Sequence, residues 1–135
     1  MFLETLDDRQ RRALVVMAHH MMVADHTVTD EEMDLIRVLE NELAISTPLS
    51  AKELYAPADM AAFVEPRSKV AAVLKLVAVA YADRKIVSNE FSELRRISAE
   101  FGFTPEQFER IRAWGKAHME LVESAQSMLE TLNVV

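Results

Sequence analysis

The chain has 135 residues, a net charge of -7 and no cysteine. A chain of this length can bury a core of its own, and the absence of thiols excludes disulfides and cysteine metal sites. The excess of acidic side chains would repel a phosphate backbone, which argues against nucleic acid as a partner.

The sequence predicts neither a secretory signal nor a membrane span. The opening residues, MFLETLDDRQ, are acidic where a signal carries positive charge, and no apolar signal core follows. The longest apolar stretches are interrupted by histidine or lysine and fall short of the roughly 20 residues that a bilayer requires. We therefore expect a cytoplasmic protein without a transmembrane segment.

Helices are the expected regular structure throughout the chain. Two glycines and four prolines supply few of the turns that a sheet needs, and no Asn-Gly or Asp-Gly hairpin signal occurs. Apolar residues recur at helical spacing, with capping pairs led by Thr29, Ser50 and Thr104. The predicted helices cover about 6–24, 30–43, 52–55, 58–64, 67–82, 89–100 and 105–132.

Three of these helices carry more specific expectations. Thr5 and Asp8 resemble a capping pair for the first helix. The helix after Pro66 has Lys75 as its one charge past the first turn, so we expect it to be the axis of the core. Gly115 is a weak point that divides the last helix in two if it breaks there. The fold class is thus a single all-α domain, residues 1–135, of about seven helices.

Two segments of the chain repeat one pattern. VADHTVTDEEMDLI begins at Val23 and YADRKIVSNEFSEL begins at Tyr81, 58 positions later. Each segment follows an apolar run and leads into an amphipathic helix. The repeat predicts two helical hairpins that pack about a pseudo-twofold axis.

Each repeat holds two carboxylates, Asp25 with Glu32 and Asp83 with Glu90. An Asp at the carboxyl end of a helix meets the negative pole of the helix dipole and needs compensation. Turn N–H groups supply it if Glu caps the next helix, which requires no ligand. A divalent cation, calcium or magnesium, supplies it in the alternative interpretation. The sequence leaves open whether the two acidic turns are adjacent.

The two turns also resemble a known family. ADHTVTDEE and ADRKIVSNE are similar to the Ala-Asp-Gly-x-Ile-x-x-x-Glu turn of the TerB-like tellurite-resistance family, which also occurs at the front of DjlA-type co-chaperones. The resemblance extends over most of the chain. It implies an all-helical domain linked to divalent-metal binding and to stress-response or membrane-associated assemblies, without an assigned enzymatic activity. It nominates Asp25, Glu32, Asp83 and Glu90 as metal ligands.

The chain departs from the family pattern directly after each Asp. His26 and Arg84 stand where the family has glycine, which would let the backbone approach an ion closely. Arg84 and Lys85 also place positive charge beside the second turn. A bound cation would have to compete with them.

The histidine and methionine run MAHHMM and the last helix offer weaker signals. The histidines His19 and His20 point about 100° apart on a helix, so we expect the run to fill the core instead of binding copper or zinc. The last helix has apolar residues at helical spacing, for which we expect core packing, with a homodimer or partner-helix interface as the alternative. These residues are Phe108, Ile111, Trp114, Leu121, Met128, Leu129 and Leu132.

The function expected from the sequence is a non-catalytic TerB-like module of the bacterial stress-response kind. Its acidic turns bind a divalent cation, and its surface docks a protein partner or a second copy. One alternative is a purely structural interaction domain without metal, and another is a small enzyme that uses the paired carboxylates. No nucleophile elbow, phosphate loop or zinc-helix motif occurs, so no catalytic residue, cofactor-binding residue or small-molecule substrate is predicted.

Overall fold

Every regular element in the computed structural model is helical among the residues that it describes, 3–24, 28–82 and 88–132. The six α-helices are α1 (Asp8–Met22), α2 (Asp30–Glu42), α3 (Ala51–Tyr55), α4 (Pro66–Ala82), α5 (Ser88–Glu100) and α6 (Pro105–Thr131). Two short 3-10 turns, Leu3–Thr5 and Met60–Ala62, complete the list. The predicted all-α fold is confirmed, although the helix predicted over 58–64 is only the second of these turns.

Capping boxes start α2, α3 and α6 where the sequence predicts them. The side chains of Thr29, Ser50 and Thr104 each accept a hydrogen bond from the backbone N–H three residues later. The Glu or Gln side chain at that position accepts a bond from the N–H of the capping residue in return. These boxes form from neighbours in sequence, which is why the pattern alone identifies them.

The start of α1 differs from the prediction. Asp7, paired with Gln10, forms the capping box, so the helix begins at Asp8. Thr5 instead ends the first 3-10 turn. This turn carries Leu3 and Leu6 into the core, where both are buried. The predicted start of α1 near Leu6 is wrong because burial of these two side chains, a tertiary effect, favours the 3-10 turn before the helix.

The second helices of the two hairpins, α1–α2 and α4–α5, end in the same way. Ala44 follows α2 with a φ of 55°, and Gly102 follows α5 with a φ of 96°. In both places the next N–H, of Ile45 or Phe103, bonds to the carbonyl five residues earlier, and the left-handed residue bonds three residues back. Both helices therefore end in the same Schellman motif.

The core is centred on α1. This helix packs against α2, α3, α4, α5 and the second 3-10 turn, and every residue from Ala13 to His19 is buried. The expectation that α4 forms the axis of the core is wrong. One side of α4, with Lys75, Ala78 and Val79, is only half-buried because it borders an open groove.

Two charged side chains fasten the segment after α2 to the core. Arg11 Nη1 donates to the carbonyl of Leu43 at 2.8 Å, which satisfies a carbonyl at the end of α2. Glu40 is buried and accepts a hydrogen bond from Leu49 N at 2.7 Å. Arg37 donates to the other oxygen of the Glu40 carboxylate at 2.5 Å. Glu40, a buried charge of α2, thus holds the backbone that leads into α3.

Candidate functional site

The structure describes the side chain of only one of the four carboxylates predicted from the repeat. Asp25 and Asp83 lie outside the described residues. Glu90 belongs to the first turn of α5, and its side chain also lies outside the described part. Glu32 is the one whose side chain is described. The predicted ligand set therefore stays a prediction.

Glu32 is buried, with 5% of its surface exposed, at the start of α2. Its Oε1 accepts a hydrogen bond from Thr29 N at 3.0 Å, and its own N–H donates to Thr29 Oγ1 at 3.1 Å. The carboxylate is also close enough to His19 to favour the charged form of that imidazole. This geometry matches the capping role that the sequence suggests for this residue.

Helices α1 and α4 begin near one another. Near the start of α1, Gln10 Nε2 donates to the carbonyl of Ala62, which shortly precedes α4, at 3.0 Å. The ring of Phe63 meets that of Phe101, near the end of α5, with centroids 5.3 Å apart. These contacts place the starts of α1 and α4 near one another.

The histidine and methionine run belongs to the core of α1. Met17, Met21 and Met22 are buried, and His20 contacts the Ala56 carbonyl through Nε2 at 2.8 Å. His19 is also buried and lies edge-on to Tyr55. Burial lowers the pKa of His19, and the neighbouring His20 adds to that effect. In the part of the chain that the structure describes, no three His, Asp or Glu residues are grouped to hold a metal ion.

Two exposed carboxylates have lowered pKa values because of arginine partners. Arg9 Nε donates to Asp59 at 2.6 Å, and this hydrogen bond lowers the pKa of Asp59. Arg12 forms an ion pair with Glu53 and lowers the pKa of that carboxyl in the same way. Both pairs tie the segment between the hairpins to the first turns of α1.

The last helix departs most from the sequence prediction. Phe108 is buried and Ile111 is half-buried, as expected for core packing. Every residue from 120 to 132 is exposed, so core packing is wrong for the apolar residues there. The exposed fractions are 71% for Leu121, 54% for Met128, 85% for Leu129 and 68% for Leu132.

The apolar residues near the end of α6 are exposed because this helix is long. Its 27 residues span about 40 Å, whereas the 17 residues of its main partner α4 span about 25 Å. The far half of α6 therefore extends past the helices that could cover it. One face of this half carries an apolar stripe, consisting of Leu121, Val122, Ala125, Met128, Leu129 and Leu132.

An open groove adjoins the apolar stripe. It has a volume of about 370 Å³ and lies between α2, α4 and α6. Val38 of α2, Val79 of α4 and Val122 of α6 are among its lining residues, and Val122 belongs to the stripe as well. An ion pair between Lys75 and Glu42 joins α4 to α2 within the groove. The groove is not apparent from the sequence, in which its one sign is an apolar residue on the outer side of α2.

These features define an all-α protein with two repeated hairpins and a projecting last helix that exposes an apolar stripe. Residues 51–113 match the family model described as tellurite resistance protein TerB. This match supports a TerB-like helical domain, as the resemblance of its turns implies. The match includes the second acidic turn and leaves out the first, so it covers less of the chain than expected. No curated protein and no solved structure matches the chain.

Among the described residues, none of the helices combines enough length and apolar character to cross a bilayer.

Proposed function

We propose that this TerB-like module acts by docking protein and not by catalysis, and that the apolar stripe is its docking surface. The main observation in support is that the four largest side chains of the stripe are more than half exposed. Scattered apolar residues are normal on a surface, whereas a continuous apolar face on a projecting helix is typical of an interaction site.

The surroundings of the shifted carboxylates support a non-catalytic role. An acid–base enzyme needs a carboxylate with a perturbed pKa in an enclosed site. Glu53 and Asp59 are exposed instead, and their pKa values are lowered by ordinary ion pairs with arginine. We further propose that residues 1–135 form one domain and that it works in the bacterial cytoplasm in a stress response, as the family resemblance implies.

Divalent-cation binding at the acidic turns is the second candidate function. The repeat supports it, because each turn has an Asp followed seven residues later by a Glu. Asp25, Glu32, Asp83 and Glu90 would supply the carboxylate oxygens that calcium or magnesium prefers. The capping bond between Glu32 and Thr29 supports the alternative in which these carboxylates only cap helices.

Quantitative capture from a bacterial lysate tests the docking proposal. The bait is the full chain, compared with the double variant Leu121→Gln/Leu129→Gln, because glutamine keeps helix propensity while removing apolar surface. Val64→Gln is the matched control, since Val64 is also an exposed apolar residue but lies before α4. We expect bound protein that the double variant loses and the control retains. Equal capture by all three baits would contradict docking through the stripe.

Titration of the chelated protein with calcium, magnesium, manganese and zinc tests the second candidate. A specific ion should raise the unfolding temperature by mass action, and Asp25→Asn and Asp83→Asn should abolish the shift. If no ion shifts the temperature and both variants merely lower it, the capping interpretation is correct.

A further inference from the structure

We propose that the partner of the apolar stripe is a second copy of this chain, bound as an antiparallel helix pair centred on Ala125. This inference rests on the proposed docking function and names the partner. It follows from three features of α6: the position of its charges, the size of its central residue and the neighbouring groove.

The charges of the projecting half lie away from the stripe. Glu120, Glu123 and Glu130 each lie about 80° or more around the helix from the nearest stripe residue, at about 100° per residue. The borders of the stripe are uncharged, with Ser124 on one side and Gln126 on the other. Charged residues at such borders usually select an oppositely charged partner and prevent pairing of like helices. Their absence from these borders removes that obstacle to self-association.

A small residue occupies the middle of the stripe. Ala125 has larger apolar residues on both sides, and it is exposed. Around a twofold axis through this position, Leu121 faces Leu129 of the second copy and Val122 faces Met128. Alanine at the centre lets the two backbones approach closely, while the flanking pairs interdigitate. The stripe is thus complementary to its own antiparallel copy.

The groove favours the antiparallel arrangement over the parallel one. Val122 belongs to both the stripe and the groove, so a helix laid antiparallel on the stripe places its end beside the groove of its partner. In this register, Leu132 of the second copy lies opposite His118, another residue of the groove wall. A parallel pair would direct both ends away from both grooves.

The area of the stripe indicates a dimer of modest affinity. Residues 121–132 form a strip about 18 Å long and about 10 Å wide, hence a footprint of roughly 200 Å². A stable interface needs about 800 Å² per partner. The groove walls must therefore contribute, and the dimer should dissociate on dilution.

Sedimentation equilibrium of the purified chain over a range of concentrations measures this directly. We expect the mean mass to rise from 15.3 kDa toward twice that value. Added salt should leave the rise intact, because the stripe itself contains no charged residue. Leu121→Gln/Leu129→Gln should remain monomeric, and Val64→Gln should associate like the unmodified chain. A monomer at every concentration would overturn this inference, whereas stripe-dependent capture of another protein would still uphold the docking proposal.

Single cysteines test the register, since the chain has none of its own. Under mild oxidation, Ala125→Cys should form a disulfide-linked dimer, because this position meets itself across the twofold axis. Ser127→Cys is the matched control, also exposed but on the far side of the helix. Equal crosslinking of the two variants, or a dimer that survives the double glutamine substitution, would contradict the proposed pairing.

Discussion

Gly115 lies so close to Val77 that a Cβ atom on the glycine would fall 2.1 Å from Val77 Cγ1. The glycine is therefore the point where α6 crosses α4, and the helix continues through it without a break. The weak point named from the sequence does not divide the helix, because close packing compensates for the poor helix propensity of Gly115.

We predict that Gly115→Ala destabilises the protein. Overpacking costs about 1–3 kcal/mol, more than the gain of about 1 kcal/mol in helix propensity. Val77→Ala removes the clashing atom, so the double variant should be less destabilised than the sum of the two single changes. Chemical denaturation of all three variants measures this coupling. Simple additivity would mean that the two residues do not meet.

The two Schellman motifs predict opposite effects at equivalent positions. Ala44→Gly should stabilise the protein by about 0.5–1 kcal/mol. Glycine removes the steric cost of the left-handed conformation, and this gain exceeds the loss from the greater entropy of glycine in the unfolded chain. Gly102→Ala should destabilise by a similar or larger amount, although the new Cβ meets no atom within 4 Å. Thermal unfolding of both variants checks the signs. Effects of the same sign would refute the shared geometry.

Glu40 should stabilise the protein by accepting the hydrogen bond from the backbone of Leu49. Glu40→Ala leaves the buried N–H of Leu49 without its acceptor, at a cost of roughly 1–3 kcal/mol. Glu40→Gln keeps an acceptor oxygen and loses only the charge, so it should be less destabilising. Urea denaturation measures both free energies of unfolding. If glutamine is as harmful as alanine, the bond to Leu49 is not the main contribution.

The buried imidazole of His19 predicts a loss of stability in acid. Its pKa is lowered in the folded protein, so below the ordinary value of 6.5 the unfolded chain binds more protons than the folded one. Stability should then fall as the pH drops from about 6.5 toward the folded pKa. His19→Phe keeps a ring against Tyr55 and should flatten this part of the pH profile. An unchanged pH profile in His19→Phe would mean that this imidazole does not cause the loss of stability.

The sequence predicts what depends on neighbours in the chain. The capping boxes at Thr29, Ser50 and Thr104 and the left-handed residue Gly102 follow from patterns of three to six residues. The repeat correctly predicts two hairpins. An apolar stripe at helical spacing, however, is the same pattern whether it faces a core or a partner. Only the relative lengths of α4 and α6 distinguish these uses, and they become apparent in the structure.

Only part of the candidate metal site can be predicted from the sequence. The repeat identifies Asp25, Glu32, Asp83 and Glu90, and the structure adds that α1 and α4 begin near one another. Whether four carboxylates meet depends on the path of two short turns, which local patterns do not determine. Glu32 illustrates the ambiguity, since a cap and a ligand require the same residue type.

The central claim is that the apolar stripe serves binding and contributes nothing to the core. The most direct measurement is the free energy of unfolding of Leu121→Gln/Leu129→Gln at a dilution where the chain is monomeric, beside the buried control Leu76→Gln. We predict a change within about 0.5 kcal/mol for each stripe position and a loss of several kcal/mol for the control. A loss in the double variant as large as that in Leu76→Gln would contradict the account, because the stripe would then be part of the folded core.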